Sequence, residues 1–159
     1  LQVALLRNAR VAVTSSSDVK LERAGALGAE LTLNHERERD IVREVKQHFG
    51  GGVDIVIDNV GEPTWQRSCK ALRPGGRLIC CGATGGPDVA LDLRRLFWFQ
   101  WSIIGSTMAT SAELGAAIRQ ANAGKLRPVI DRIFPLAEGR AAYRRMTDPE
   151  RFGKVVLRL

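Results

Sequence analysis

Apolar positions alternate between two rhythms along this chain. Short runs with little polar interruption, at residues 10–14, 30–34, 53–57, 77–82 and 102–105, read as strands. Between them, apolar residues recur three and four apart: Val19, Leu21, Ala24 and Leu27; Ile41, Val42, Val45 and Phe49; Leu114, Ala117, Ile118 and Ala121. Each set is one face of a helix. The most apolar run, Val53-Asp54-Ile55-Val56-Ile57, follows Gly50-Gly51-Gly52 and leads through Asp58-Asn59-Val60 into Gly61-Glu62-Pro63. It predicts a strand buried on both faces, as in the middle of a helix-covered parallel sheet. Ligands bind such sheets at the carboxyl ends of the strands, which puts Asp58, Asn59 and Gly61 on the binding edge. The alternative is a polar turn after a core strand.

The punctuation supports the same alternation. Asn8 suits a left-handed C-cap after a helix over residues 1–6. One of Ser15, Ser16 and Ser17 caps the next helix, with Asp18 in its first turn. A helix over 64–72 ends in the turn Arg73-Pro74-Gly75-Gly76, and a flexible loop, 83–87, follows the strand at 77–82. Asp92 caps a short helix over 93–99, and Thr110 with Glu113 forms a capping box. Strand and helix in turn, with short connections, predict an α/β fold with a doubly wound parallel sheet. Residues 125–159 differ: an alternating strand, 129–135, a helix, 136–146, and a strand, 153–159, form a β-α-β appendage belonging to a second domain.

Composition narrows the partners. With 159 residues, 45% hydrophobic and 26% charged, the chain can bury one core and has no disordered character. No apolar run approaches the roughly 20 residues that span a bilayer; the longest, 96–105, contains Gln100 and Ser102, so no membrane role is expected. The net charge of +7 raises a nucleic-acid partner. However, the arginines are scattered, and the densest pairs, Arg94-Arg95 and Arg144-Arg145, fall on predicted helices as solvated faces. No nucleic-acid partner is expected, and a basic bias suits a phosphorylated cofactor. Cys69, Cys80 and Cys81 lack C-x-x-C spacing. The adjacent pair should point to opposite faces of a strand, and all three read as small buried hydrophobes in a reducing cytoplasm. His35 and His48 are far apart, and no metal site is expected. The chain begins at Leu1, inside a helix and without a signal peptide, so it is expected to be a fragment with sequence missing upstream.

Candidate chemistry sits at strand ends. In a dinucleotide site an acid after the strand at 10–14 would bind ribose hydroxyls, whereas Ser15, Ser16, Ser17 and Lys20 supply donors for a 2′-phosphate. The plainer account is a serine cap beside a surface lysine. Gly82 and Gly85-Gly86 allow close backbone approach to a ligand. Ser106-Thr107 can hydrogen-bond a carboxamide, and His35 can pack on an adenine ring. No Ser-His-Asp set, paired carboxylates or positioned general base occurs, as expected where a cofactor carries the chemistry.

Several segments in this order and spacing carry a resemblance: Lys20-Leu21-Glu22-Arg23-Ala24 with Leu27-Gly28-Ala29; 53–61; 72–82; 91–97; Gly105-Ser106-Thr107-Met108; Gly124-Lys125-Leu126-Arg127-Pro128; and Phe152-Gly153-Lys154-Val155-Val156-Leu157. Together the chain resembles the carboxyl-terminal half of the medium-chain dehydrogenases/reductases: the zinc-containing alcohol dehydrogenases and the related quinone and enoyl reductases. The resemblance implies that residues 1–124 are a partial NAD(P)-binding Rossmann domain of strand order 3-2-1-4-5-6, without its first strand and Gly-rich turn. It also implies that residues 125–159 would return to a catalytic domain absent from this chain. It implies Ser15, Ser16 and Lys20 at a 2′-phosphate, favouring NADP(H) over NAD(H), and His35, where tyrosine is common, near the adenine. Asn59 and Gly61 would lie beside the nicotinamide ribose, Gly82, Ala83 and Thr84 would face the cofactor, Ser106 and Thr107 the carboxamide, and Lys154 would approach from the tail. The edge strand Ser102–Gly105 would pair across a homodimer. Glu62 and Ala109 depart from the family's usual glycines. Any catalytic zinc would have its ligands, like the catalytic residues, in the missing amino-terminal half.

The implied activity of the parent is zinc-dependent hydride transfer between NADP(H) and an alcohol/carbonyl pair. One alternative is a zinc-independent NADPH quinone or enoyl reductase acting on a conjugated enone; another is a non-enzymatic nucleotide-binding module. The fragment alone is expected to be inactive, with apolar surface exposed where the first strand belongs.

Overall fold

The computed structural model describes the whole chain, Leu1–Leu159. It runs α1 (Gln2–Leu5), β1 (Ala12–Ser15), α2 (Asp18–Ala26), β2 (Leu31–Asn34), α3 (Ile41–His48), β3 (Val53–Asp58), α4 (Glu62–Ala71) and β4 (Leu72–Cys80). It continues through α5 (Leu93–Trp98), β5 (Ser102–Gly105), α6 (Ser111–Asn122), β6 (Ile130–Pro135), a 3-10 turn (Leu136–Glu138), α7 (Gly139–Met146) and β7 (Lys154–Arg158). Two compact units result, one of Leu1–Thr32 with Ala109–Leu159 and one of Leu33–Met108. No helix is long and apolar enough to cross a membrane.

The unit Leu33–Met108 is built on the parallel sheet β3-β4-β5. Val56 pairs in register with Leu78, and Ile57 with Ile79 and then Ile104. Leu78, fully buried, is the centre of a core with Trp65, Cys69, Leu72 and Trp101. Trp65 and Cys69 are four apart on α4 and so share one face of it. Val56, Leu96 and Phe99 close the cluster. Trp101 stacks on Phe99 at 5.2 Å and donates its indole N–H to the Arg73 carbonyl at 3.1 Å.

Burial of β3 on both faces is not what the structure shows. Side chains alternate along a strand, and Val56 faces the core while Ile55 and Ile57 are 52% and 70% exposed. The reason is that α4 and α5 contribute to the same cluster around Leu78, so within this unit the opposite face, with Ile57 and Ile104, carries no helix. The turn expected at Arg73-Pro74-Gly75-Gly76 is also revised. The chain is already extended at Leu72, which closes α4, and the segment is taken into β4 as a bulge between the pairs Val53–Leu72 and Ile55–Arg77. Gly75 accommodates it with φ +74° and donates its N–H to the Phe99 carbonyl at 2.8 Å.

In the other unit, α2 packs on β1 through the buried Leu21 and Ala24, and β1 pairs with β2. Asn8 takes the expected left-handed conformation, φ +56°. Ser17 is the cap of α2, and the Thr110–Glu113 box caps α6. The stripe on α6 is not a core face: Leu114 and Ile118 are 58% and 50% exposed. Parallel β6 and β7, joined through α7, form the β-α-β arrangement with Phe134 and Ala142 buried.

Two composition-based expectations also change. Cys69 is buried, but Cys80 is only partly so and Cys81, just past β4, is exposed. The second arginine of each pair is not a solvated charge. The Arg95 guanidinium lies 5.6 Å from the Phe99 ring centroid and 5.7 Å from that of Trp101. Arg145 has only 17% of its side chain exposed, against Asp131.

Candidate functional site

Strand β3 ends on Asp58, which is 4% exposed. One carboxylate oxygen accepts the Val60 and Gly61 N–H groups at 2.9 and 3.0 Å. The other accepts the Thr64 and Ser68 hydroxyls at 2.8 and 2.6 Å. Thr64 and Ser68 are four residues apart, so α4 presents both to the same point. Burial, the largest single influence, pushes the Asp58 pKa up, but donation from Ser68, Gly61, Thr64 and Val60 outweighs it and holds the carboxyl below its ordinary value.

The turn so anchored grips the loop after β4. Cys81 N–H donates to the Asp58 carbonyl at 3.0 Å, and Gly85 N–H to the Val60 carbonyl at 2.7 Å. Both the N–H and the hydroxyl of Thr84 donate to the Asn59 carbonyl, at 3.4 and 3.2 Å. In return Glu62 N–H donates to the Gly86 carbonyl at 3.1 Å. Gly61, at φ +89° and ψ −127°, permits this approach; a Cβ there would strike the Gly86 carbonyl oxygen and sit 3.3 Å from Ala83 Cα. A Cβ on Gly82 would likewise lie 3.0 Å from the Asn59 carbonyl oxygen.

The structure therefore brings Asn59, Gly61, Gly82, Ala83 and Thr84 into one pair of knitted loops. Ser106 N–H donates to the Cys80 carbonyl at 2.9 Å, which sets it at the end of β5 next to β4, with Thr107 following. Asn59, Thr84, Ser106 and Thr107 are all exposed. Asn59, Ser106 and Thr107 offer neutral amide and hydroxyl groups, and the Thr84 hydroxyl, whose proton goes to the Asn59 carbonyl, offers an acceptor; the set fits ribose hydroxyls and a carboxamide. His35 lies in the turn after β2, half-buried, and not in this loop pair.

In the unit that holds β1, the Ser15 hydroxyl oxygen accepts Ser17 N–H at 3.2 Å, and the Ser17 hydroxyl oxygen accepts Lys20 N–H at 3.4 Å. Ser15, Ser16 and Lys20 thus share one tight turn at the start of α2. Lys154 opens β7, exposed, with its N–H on the Val129 carbonyl at 2.8 Å. The segment leading to it is held by Asp131, which accepts Arg145 at 2.7 and 2.9 Å and Phe152 N–H at 3.0 Å. Arg145 also donates to Asp148 at 2.5 Å. The Arg145 fork and Phe152 N–H hold the Asp131 carboxyl well below the usual range, and Asp131 raises the Arg145 pKa.

The anchoring roles of Thr64, Ser68, Asp131 and Arg145 were not read from the sequence. The only signal for the first two was two hydroxyls at helical spacing just after a strand-end aspartate. No three His, Cys, Asp or Glu side chains converge in a way that could hold a metal ion, so no residue set here fits a zinc.

A family model described as zinc-binding dehydrogenase matches residues 1–123. The chain is 30% identical over 159 residues to an acryloyl-coenzyme A reductase of Metallosphaera sedula, covering 99% of this chain and 46% of the relative. It superposes on a solved NAD-dependent alcohol dehydrogenase with a TM-score of 0.91 and 39% identity, over 99% of this chain and 46% of that one. A 2-octenoyl-CoA carboxylase reductase solved with NADP and 2-octenoyl-CoA gives a TM-score of 0.90 and 26% identity, over 98% of this chain and 39% of that one. The chain thus spans about half the length of the curated relative, 46%.

Proposed function

The chain belongs to the zinc-binding dehydrogenase family, and on that premise we propose that it is the cofactor-binding part of an oxidoreductase. The whole protein would transfer hydride between a nicotinamide cofactor and a small alcohol, carbonyl or conjugated substrate. The observation that carries this is the pair of loops after β3 and β4, joined through the Asn59, Val60 and Gly86 carbonyls at the carboxyl edge of the sheet. Residues 1–124 would bind the cofactor, and 125–159 would belong with the substrate-binding part.

A bound nicotinamide would give or accept the hydride. Asn59 and Thr84 orient the ribose, Gly61, Gly82 and Ala83 let the backbone come close, and Ser106 and Thr107 hold the carboxamide. Lys154 is a further cofactor contact that the family resemblance implies. No group here is placed to move a proton, and no step involving zinc falls to these residues. Ser15, Ser16 and Lys20 favour NADP(H), because hydroxyls and an ammonium between β1 and α2 match a 2′-phosphate; the Asp18 carboxylate in the same turn opposes a phosphate, and its place is explained by the positive end of α2. His35 takes the adenine side.

A second reading, reduction of a conjugated alkene without zinc, is favoured by the similarity to acryloyl- and octenoyl-coenzyme A reductases. The exposed edge strand β5 supports pairing with a second copy. The free cysteines suit a cytoplasmic location.

Titration of the full-length protein with NADPH and NADH tests the reading. Tighter binding of NADPH is expected. Tighter NADH binding would overturn the serine argument, and no binding of either would overturn the oxidoreductase reading.

A further inference from the structure

We propose that Asp58 is a positioning residue for the nicotinamide end of the cofactor, acting through the two loops without touching the cofactor. The inference rests on the cofactor reading above.

Its basis is the way the two carboxylate oxygens divide their work. One oxygen fixes the Val60 and Gly61 N–H groups and so sets the turn; the other ties that turn to the first two turns of α4 through Thr64 and Ser68. With the turn set, the Asn59 and Val60 carbonyls face the second loop and receive Thr84 and Gly85. Asn59 follows Asp58 directly in the chain, and Thr84 is held by the Asn59 carbonyl. The anchor is local and complete: four neutral donors, all within ten residues of it, converge on a side chain sealed from solvent. Removing the carboxylate frees both loops together, while the Ser15–Lys20 turn belongs to another part of the chain and keeps its own hydrogen bonds. The loss should therefore fall on the nicotinamide end and spare the adenosine end.

Asparagine is a partial substitute. Its amide oxygen can keep the two backbone N–H groups, and its NH2 can donate to the two hydroxyls with the sense of those bonds reversed.

The test uses the full-length protein as wild type, D58A, D58N and S68A. Affinities are measured for the preferred dinucleotide, NADPH or NADH, and for the matching adenosine-end fragment, 2′,5′-ADP or ADP, which lacks both the nicotinamide and its ribose. D58A should weaken the dinucleotide about tenfold, the scale of losing buried hydrogen-bond partners, and leave the fragment unchanged. D58N should recover most of the loss. S68A, which removes one donor and keeps the anchor, should show the same selectivity at about threefold, and it carries the test if D58A does not fold. Equal losses for both ligands, or none for the dinucleotide, would overturn the positioning role alone. A wild-type protein that binds neither ligand would overturn the cofactor reading and this inference with it.

Discussion

Asp58 and Asp131 are nearly equally sealed from solvent, at 4% exposure for the one residue and 4% for the other's side chain. Each ties down a segment that the family resemblance places at the cofactor. Their partners differ in kind. Asp58 is held by two backbone N–H groups and two hydroxyls, all neutral and all close in sequence. Asp131 is held by the two-pronged guanidinium of Arg145, fourteen residues on, and by Phe152 N–H, twenty-one residues on. The first arrangement stiffens a strand-to-helix junction. The second closes a long excursion. A carboxylate ringed by dipoles can give way to an amide with modest rearrangement, whereas a bidentate fork requires both oxygens and their charge.

The sharpest way to break the comparison is to remove the neutral-donor anchor outright. D58A strands two N–H groups and two hydroxyls, and about 3 kcal/mol of unfolding free energy should go with it. Denaturant unfolding measures this. A loss well under 1 kcal/mol would mean that water replaces the carboxylate and that the anchor is not structural.

At Asp131 the order of effects is the informative part. R145M leaves a sealed carboxylate without its countercharge, while D131N leaves a guanidinium that still reaches Asp148 and some solvent. R145M should lower the melting temperature more than D131N does, and both less than D58A. If D131N proves the more damaging, the Arg145 charge rather than the Asp131 charge is the one that cannot stand alone.

Part of this contrast could be read from residue order, and part could not. Polar punctuation was legible because it acts locally: Asn8 is left-handed, Ser17 caps α2, and Thr110 with Glu113 makes the box. The β-α-β ending followed from period alone, whereas the edge position of β5 in the sheet followed from the family resemblance. The burial of β3 did not, because an apolar run such as Val53 to Ile57 cannot say which face its helices cover, and α4 and α5 gather on the Leu78 side. Pro74-Gly75-Gly76 reads as a turn until a pairing partner at Val53 and the Phe99 carbonyl draw it into β4. Arg145 reads as a solvated charge because its partner is fourteen residues away. At the candidate site, the strand-end position of Asn59, Gly61 and Gly82 was legible, while the role of Asp58 as an anchor required seeing Thr64 and Ser68 on one face of α4.

That last point can be sharpened with a smaller change. S68A removes the shortest of the four bonds to Asp58, 2.6 Å, and should cost about 1 kcal/mol, as for one buried hydrogen bond. T64A should cost less, since the Thr64 hydroxyl divides itself between Asp58 and the Gly61 carbonyl at 3.1 Å. Equal losses from the two would argue that the hydroxyls are interchangeable.

The smallest effect is on pH dependence, and it separates the two anchors by mechanism. Both carboxyls have folded pKa values below the ordinary value of 3.8. The stability each contributes is therefore complete above the unfolded pKa, near 4, and declines as pH falls from there through the lower folded value. Asp131 is lowered further, because Arg145 and Phe152 N–H act on it strongly, while at Asp58 burial opposes the hydrogen bonds. Melting temperatures followed from about pH 7 to about pH 3 should fall for the wild type. D131N should flatten that fall more than D58N does, since it removes the larger shift. The reverse ranking would mean that four neutral donors hold a buried carboxylate more firmly than a guanidinium fork.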